Sequence, residues 1–414
     1  MLLVLAILGC SPTEADFVPG REDGARLGAS MASGDIDGDG VVDLLAGAAD
    51  SDAGAGRVRV FQGRPNGLAA RGPSIEGLKG GHGSLGRDLL VADLTDDGQL
   101  DVAVTEPWAD GGETLHLFAG PIDRNVQPED AVATVRGLPE YQYDRIAYAT
   151  GDLNGDGIAD LAAAAPEVPA SSVFVFLGPL EGDLGPDDAD GIITLASSWR
   201  YVLSTVPNTS GPGDLLLVGV PERAIVLAFG GPFTRDSTEA DALWRLVGES
   251  GSWFGGDIRG GVDLDQDRVP DIAVSAALPE RVVYVFEAGG AKVLHSSQAS
   301  AAIELPAGSP EPVLAVFERD QGPQLLIGLP GTAGTSFGAP YSVLLPSTSG
   351  PLEEVAERLS VPEQAWAPGA AFAQLDGDLI AIGDPEYGGQ FDRRCEDGDE
   401  CAWQAGQGAV LVTR

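Results

Sequence analysis

One unit recurs along this chain: an acidic, glycine-rich turn, an apolar strand closing on Gly-x-Pro or a near variant, a loop, and a strand rich in Val and Phe. The apolar strands end at Ala49, Pro107, Pro166, Pro221, Pro279, Pro330 and Pro385, a period of 51 to 59 residues. Length alone would divide 414 residues into two or three ordinary domains. A fixed period overrides that division, because each unit must bury its apolar surface against the next.

Four copies are explicit: GDIDGDGVVDLLAGAA with RVRVFQG, ADLTDDGQLDVAVTEP with TLHLFAG, GDLNGDGIADLAAAAP with SVFVFLG, and VDLDQDRVPDIAVSAALP with RVVYVFE. Three more keep the strands and lose the acidic turn: GDLLLVGVP with AIVLAFG, PQLLIGLP with YSVLLP, and GDLIAIGDP with GAVLVTR. The apolar runs are four to seven residues long and bounded by Gly and Pro, which reads as buried strand. A repeat of this length with three or four strands is too long for a solenoid coil and fits a propeller blade. The expected fold is all-β, a seven-bladed β-propeller over residues 25–414. Its last repeat stops at a third strand, so the segment Phe17–Asp23 is expected to supply the outer strand and cover that edge.

The acidic turns share one spacing of oxygen-bearing side chains at positions 1, 3, 5 and 9. These are Asp35, Asp37, Asp39 and Asp43; Asp93, Thr95, Asp97 and Asp101; Asp152, Asn154, Asp156 and Asp160; and Asp263, Asp265, Asp267 and Asp271. Calcium takes six to eight oxygen ligands, and alternate side chains of a tight loop can converge on one ion. The position 7 carbonyls, of Val41, Gln99, Ile158 and Val269, would complete each cage. Gly40, Gly98 and Gly157 hold position 6, where a sharp turn favours positive φ. The fifth repeat has Arg268 there, which weakens the case for that site. No Glu follows at position 12 and strands flank the turns, so they are not EF-hands. The expected cofactor is calcium, four ions in all.

With those turns in view, the units resemble FG-GAP repeats, the blades of the integrin α-subunit propeller and of many bacterial surface proteins. Phe-Gly survives as Phe254-Gly255 and, altered, as Leu27-Gly28 and Leu85-Gly86; Gly-Ala-Pro survives in Gly47-Ala48-Ala49, Ala164-Ala165-Pro166 and Gly219-Val220-Pro221. The resemblance implies calcium in the turns on one face of a ring and ligands on the opposite face. It implies adhesion less firmly than fold, since fold does not fix function.

The formal net charge is −39, with 63 acidic against 24 basic residues, and Lys79 and Lys292 are the only lysines. Such a surface repels phosphate backbones, which argues against a nucleic-acid partner. The apolar run Leu2–Leu8 is far shorter than the ~20 residues that span a bilayer and fits the h-region of an export signal. Ile7-Leu8-Gly9-Cys10 resembles a bacterial lipoprotein signal, although no Lys or Arg precedes it. Residues 1–9 are then the signal and 10–24 a segment anchored by lipid on Cys10, with Ser11 favouring the outer membrane or cell surface. Cys395 and Cys401 remain, as a disulfide closing C-E-D-G-D-E-C, which an oxidising compartment permits, or as two free thiols.

Aromatics gather just before the first strands: Tyr141, Tyr143, Trp199, Tyr201, Trp253 and Trp366, with His82 at a matching place. They read either as hub packing or as a ligand surface, for which Trp and Tyr are suited. The longest loop, Asp384–Gly408, carries Phe391, Arg393, Arg394 and Trp403 around the cysteine pair. Candidate ligand-binding residues are therefore Trp199, Trp253, Phe391, Arg393 and Trp403, and the expected partner is a protein or a carbohydrate.

Catalysis finds little support. His82, His116 and His295 share no motif, and Gly81-His82-Gly83-Ser84-Leu85-Gly86 does not satisfy G-x-S-x-G. No phosphate-cradling loop and no zinc-type Cys/His cluster is present. The expectation is a lipid-anchored, calcium-binding recognition module; the alternative is a calcium-dependent carbohydrate-active enzyme, a lyase or hydrolase using scattered carboxylates.

Overall fold

The computed structural model describes residues 16–19, 26–64, 67–69, 72–78, 84–107, 112–138, 146–166, 170–279, 281–289, 292–319, 322–330, 339–344, 349–359, 370–375, 379–384, 393–394, 400–401 and 409–413. They form an all-β propeller. Seven sheets of four or five strands follow one another along the chain, with two short two-stranded ribbons beside them. Their innermost strands are Met31–Gly34, Leu89–Ala92, Ala147–Gly151, Val202–Pro207, Ile258–Val262, Val313–Arg319 and Ala371–Gln374. Each touches the next, and Ala371–Gln374 returns to Met31–Gly34, so the ring closes.

Each blade is an antiparallel meander. In the third, Ala147–Gly151 pairs with Asp160–Ala165, which pairs with Ala170–Phe176, then Gly191–Ala196. The strands are apolar on both sides because both sides are buried: Leu44 and Ala46 pack toward the seventh blade while Leu45 packs toward the second. Buried apolar side chains among the described residues fall into seven clusters, one in each seam between neighbouring blades. That distribution explains the continuous apolar runs where a half-exposed sheet would alternate.

The Phe-Gly and Gly-Ala-Pro signatures meet across these seams. A Cβ on Gly47 would lie 2.1 Å from the Gly86 carbonyl oxygen, and one on Gly219 would lie 2.6 Å from that of Gly255. The backbones of adjacent blades touch there, so neither neighbour can carry a side chain into the gap. Gly86 and Gly255 also sit at φ +95° and +92°, a region that penalises a Cβ.

Outer edges are covered by the following repeat. Gly182–Leu184 runs parallel to Ala133–Arg136 of the second blade, Ser237–Thr238 to the third, and Val293–His295 to the fourth. These strands add a fifth member and remove an exposed edge. The seventh blade uses the chain's beginning: Asp16–Pro19 pairs antiparallel with Ala409–Thr413, Phe17 opposite Leu411.

No helix among the described residues is long and apolar enough to cross a membrane.

Candidate functional site

The acidic turns join the first and second strands of blades one, two, three and five, and the four copies share one set of hydrogen bonds. The position 1 carboxylate accepts from the position 6 N–H: Asp35 from Gly40 at 2.9 Å, Asp93 from Gly98 at 2.9 Å, Asp152 from Gly157 at 2.9 Å, and Asp263 from Arg268 at 2.7 Å. The position 5 carboxylate accepts from the position 7 N–H: Asp39 from Val41, Asp97 from Gln99, Asp156 from Ile158 and Asp267 from Val269, all at 2.7–2.9 Å. Each turn therefore curls around its own carboxylates.

Position 9 lies beneath the turn. Asp43, Asp101 and Asp160 are fully buried, and each accepts three backbone N–H groups. For Asp43 these come from Ile36, Asp37 and Gly63; for Asp101 from Leu94, Thr95 and Gly120; for Asp160 from Leu153, Asn154 and Gly178. Burial pushes all three carboxyls above the ordinary aspartate range, and the N–H donors pull the other way. Asp271 keeps the bonds from Leu264 and Asp265 but its Oδ1 is buried without a partner. Burial, with Asp265 and Asp263 close by, pushes its carboxyl up to about 7.

Arg268 does not distort the fifth turn. It adopts φ +77°, where Gly40, Gly98 and Gly157 have +87°, +80° and +90°. The left-handed conformation carries a cost of about 1–2 kcal/mol for a residue with a Cβ. Position 4 is left-handed too, in Gly38, Asp96, Gly155 and Gln266, a constraint that the side chains of Asp96 and Gln266 conceal in the sequence.

Carboxylate oxygens of Asp35, Asp37 and Asp39 lie within 4.8 Å of one another, as do those of Asp263, Asp265 and Asp271, and those of Asp265, Asp267 and Glu287. That spacing fits oxygens arranged about one ion at 2.3–2.6 Å. Asp35 Oδ1 is buried without a hydrogen-bond partner, like Asp271 Oδ1, which leaves each an acceptor for a cation. In the second and third turns Thr95 and Asn154 replace an acid at position 3, and Thr95 donates to Asp101 while the Asn154 amide donates to Asp156. The donor sets are all-oxygen and suit calcium or another hard cation. Glu287, which the sequence reading missed, stands opposite Asp271 in the strand register.

At the other end of the innermost strands, Trp199 and Trp253 stack with ring centroids 6.1 Å apart at 30°. Trp199 precedes the strand Val202–Pro207, and Trp253 precedes Ile258–Val262, whose far end enters the acidic turn at Asp263. The pair therefore lies on the face away from that turn. Trp199 is 52% exposed. Its backbone N–H donates to Glu222, which also accepts from the Ser198 hydroxyl at 3.0 Å. Beside it Arg200 binds Glu311 at 2.9 Å and the Gly256 carbonyl at 3.1 Å, linking three successive repeats.

Tyr201, grouped with these aromatics in the sequence, is instead buried, and its hydroxyl donates to the Ala196 carbonyl. It packs between the third and fourth blades. Arg393 lies in a two-residue strand, Arg393–Arg394, paired with Glu400–Cys401, so Arg393 stands opposite Cys401. Cys10, Cys395, Phe391, Trp403, Tyr141, Tyr143, Trp366 and His82 lie outside the described residues. His116, of interest for catalysis, is buried in the second blade against Glu106 at 2.9 Å.

Fold and turns together define a β-propeller with acidic turns on one face and an aromatic pair on the other. Its repeats have a known type: the FG-GAP repeat family matches residues 27–61 and 148–176, so the chain carries FG-GAP repeats. Integrin alpha-PS2 of Drosophila melanogaster is 32% identical over 179 residues, 38% of this chain and 12% of that protein. Phosphatidylinositol-glycan-specific phospholipase D is 32% identical over 210 residues in Rattus norvegicus, covering 42% of this chain and 24% of the enzyme. The Homo sapiens protein of that name is 28% identical over 209 residues, with the same coverage. The matches thus span only 12% and 24% of these relatives' own lengths. Among solved structures, the WD40 domain from Toxoplasma gondii coronin aligns with a TM-score of 0.48 and 10% identity, over 97% of this chain and 89% of that one.

Proposed function

We propose that this chain is an extracytoplasmic recognition module. Calcium in the four acidic turns stiffens one face, and the opposite face receives a protein or carbohydrate ligand. The observation that carries the reading is the Trp199–Trp253 stack, because an exposed indole held rigid by a second one offers contact area with little entropy left to lose. Arg200, Glu222 and Glu311 supply polar groups around it. The relatives' names, an integrin alpha subunit among them, favour a cell-surface setting. A lipid on Cys10 would hold the module at a bacterial outer membrane or cell surface, and Cys10→Ser should then release it into the soluble fraction.

The test is a screen of the full chain against glycan and surface-protein arrays, with calcium and with chelator. A hit that is lost in Trp199→Ala and Trp253→Ala supports the reading. A hit that survives both, but disappears when the insertion Asp384–Gly408 is replaced by a short Gly-Ser turn, moves the ligand site to that loop.

A further inference from the structure

The fifth turn differs from the other three at the strand that packs beside it. After the third strand of blades one, two and three comes a glycine, and its N–H donates to Oδ1 of the position 9 aspartate: Gly63 to Asp43 at 2.7 Å, Gly120 to Asp101 at 3.0 Å, Gly178 to Asp160 at 2.8 Å. A Cβ on Gly63, Gly120 or Gly178 would lie 2.2, 2.4 or 2.5 Å from the carbonyl oxygen of Val42, Leu100 or Ala159, the residue just before the position 9 aspartate. The fifth repeat has Ala288 in this place, and its N–H donates instead to the Pro270 carbonyl at 2.8 Å. Asp271, 2% exposed, is left with Oδ1 buried and unpartnered, and brings a carboxylate oxygen within 4.8 Å of Asp263 and Asp265.

One residue earlier the contrast is in charge. The first repeat has Gln62, whose amide donates to Asp37 at 2.5 Å; the second and third have Ala119 and Leu177. The fifth has Glu287, with a carboxylate oxygen within 4.8 Å of Asp265 and Asp267. The fifth turn thus holds five carboxylates in two overlapping triads that share Asp265, where the first turn has the single triad Asp35, Asp37 and Asp39. Arg268 is exposed and serves the turn through its backbone N–H, so it stands as no obstacle.

We infer that Glu287 is a ligand of a divalent cation in the fifth turn and that this turn is the tightest of the four sites. The inference rests on the calcium reading above. An additional anionic ligand raises affinity for a hard cation, and the unpaired buried oxygen at position 9 adds a desolvated acceptor where the other turns have committed that same oxygen to an N–H.

The experiment is a calcium titration of the full chain by competition with a chromophoric chelator, with bound calcium counted by elemental analysis. In the unaltered protein the first ion should bind more tightly than the rest. Glu287→Gln should weaken that first step by about tenfold and leave the stoichiometry at saturation unchanged, since affinity follows ligand charge. Gln62→Glu should tighten a later step. Because residue 287 is exposed, Glu287→Gln should fold normally, checked by an unchanged melting curve in chelator. Binding of several ions with every step unaltered by Glu287→Gln overturns this inference alone. A chain that binds no calcium overturns it together with the calcium reading.

Discussion

Gly383 in the last repeat and Gly28 in the first meet across the seam that closes the ring, so closely that a Cβ on Gly383 would lie 2.0 Å from the Gly28 carbonyl oxygen. The contact repeats the one between Gly47 and Gly86, now between the two ends of the chain. Gly383→Ala must push seventh and first blades apart. We expect a loss of about 2–3 kcal/mol, as for overpacking at a tight interior contact, measured by urea unfolding. Unchanged stability would mean that the seam yields freely.

Positions 5 and 9 of the acidic turns should separate under mutation. Asp101→Ala strands the N–H groups of Leu94, Thr95 and Gly120, and with each buried unpaired donor costing about 1–3 kcal/mol it should destabilise the protein even in chelator. Asp39→Ala should remove one calcium ion and, in chelator, alter the urea midpoint little. Equal effects of the two in chelator would count against the division.

Dialysed protein should retain four calcium ions by elemental analysis, and chelation at low salt should lower the melting temperature. Fourteen carboxylates occupy ligand positions in the turns and repel one another once the cation leaves. One ion or fewer per chain would sink the reading.

The chelated protein should lose stability as pH rises. Asp43, Asp101, Asp160 and Asp271 all hold their protons more tightly when folded than in the unfolded chain, chiefly because burial disfavours the charge. The folded state therefore binds more protons above the ordinary aspartate range, and stability falls by up to about 1.4 kcal/mol per pH unit for each group that titrates. For Asp271 the window runs from the ordinary value of 3.8 to about 7. Melting in chelator should be higher near pH 5.5 than near pH 7.5, and calcium should narrow the gap. The opposite slope would refute the assignment.

Trp199→Ala should change stability by less than about 1 kcal/mol, as an exposed side chain does, while abolishing ligand capture. A large loss of stability would return the indole to a packing role.

The blades were legible because both faces of every sheet are buried, which leaves runs such as Asp101–Pro107 without a polar interruption until their ends. The turns were legible because position 9 must be an acid to gather two or three N–H groups, three in Asp43, Asp101 and Asp160 and two in Asp271. The fifth strands were not: Gly182–Leu184 and Ser237–Thr238 are only two or three residues long, with Leu184 their single apolar side chain, and their pairing is set by where the next blade places them. Glu287 was missed for a similar reason, since it joins the turn through strand register with Asp271 and not through spacing along the chain. Arg268 takes the positive φ of its glycine counterparts although such a residue usually avoids it, which no spacing along the chain foretells.

The pairing of Asp16–Pro19 with Ala409–Thr413 also dictates an order of events. A chain made from its N-terminus presents Phe17 long before Leu411 exists, so the earlier strand must wait for the later one. Until then blades one to six can stack in sequence, each closing only short loops, while the ring stays open with an unpaired edge at either end. The final joining carries the largest loop of the molecule, so it should govern the rate at which the native protein appears. The open ring awaiting that step is the species that a chaperone or a protease would meet.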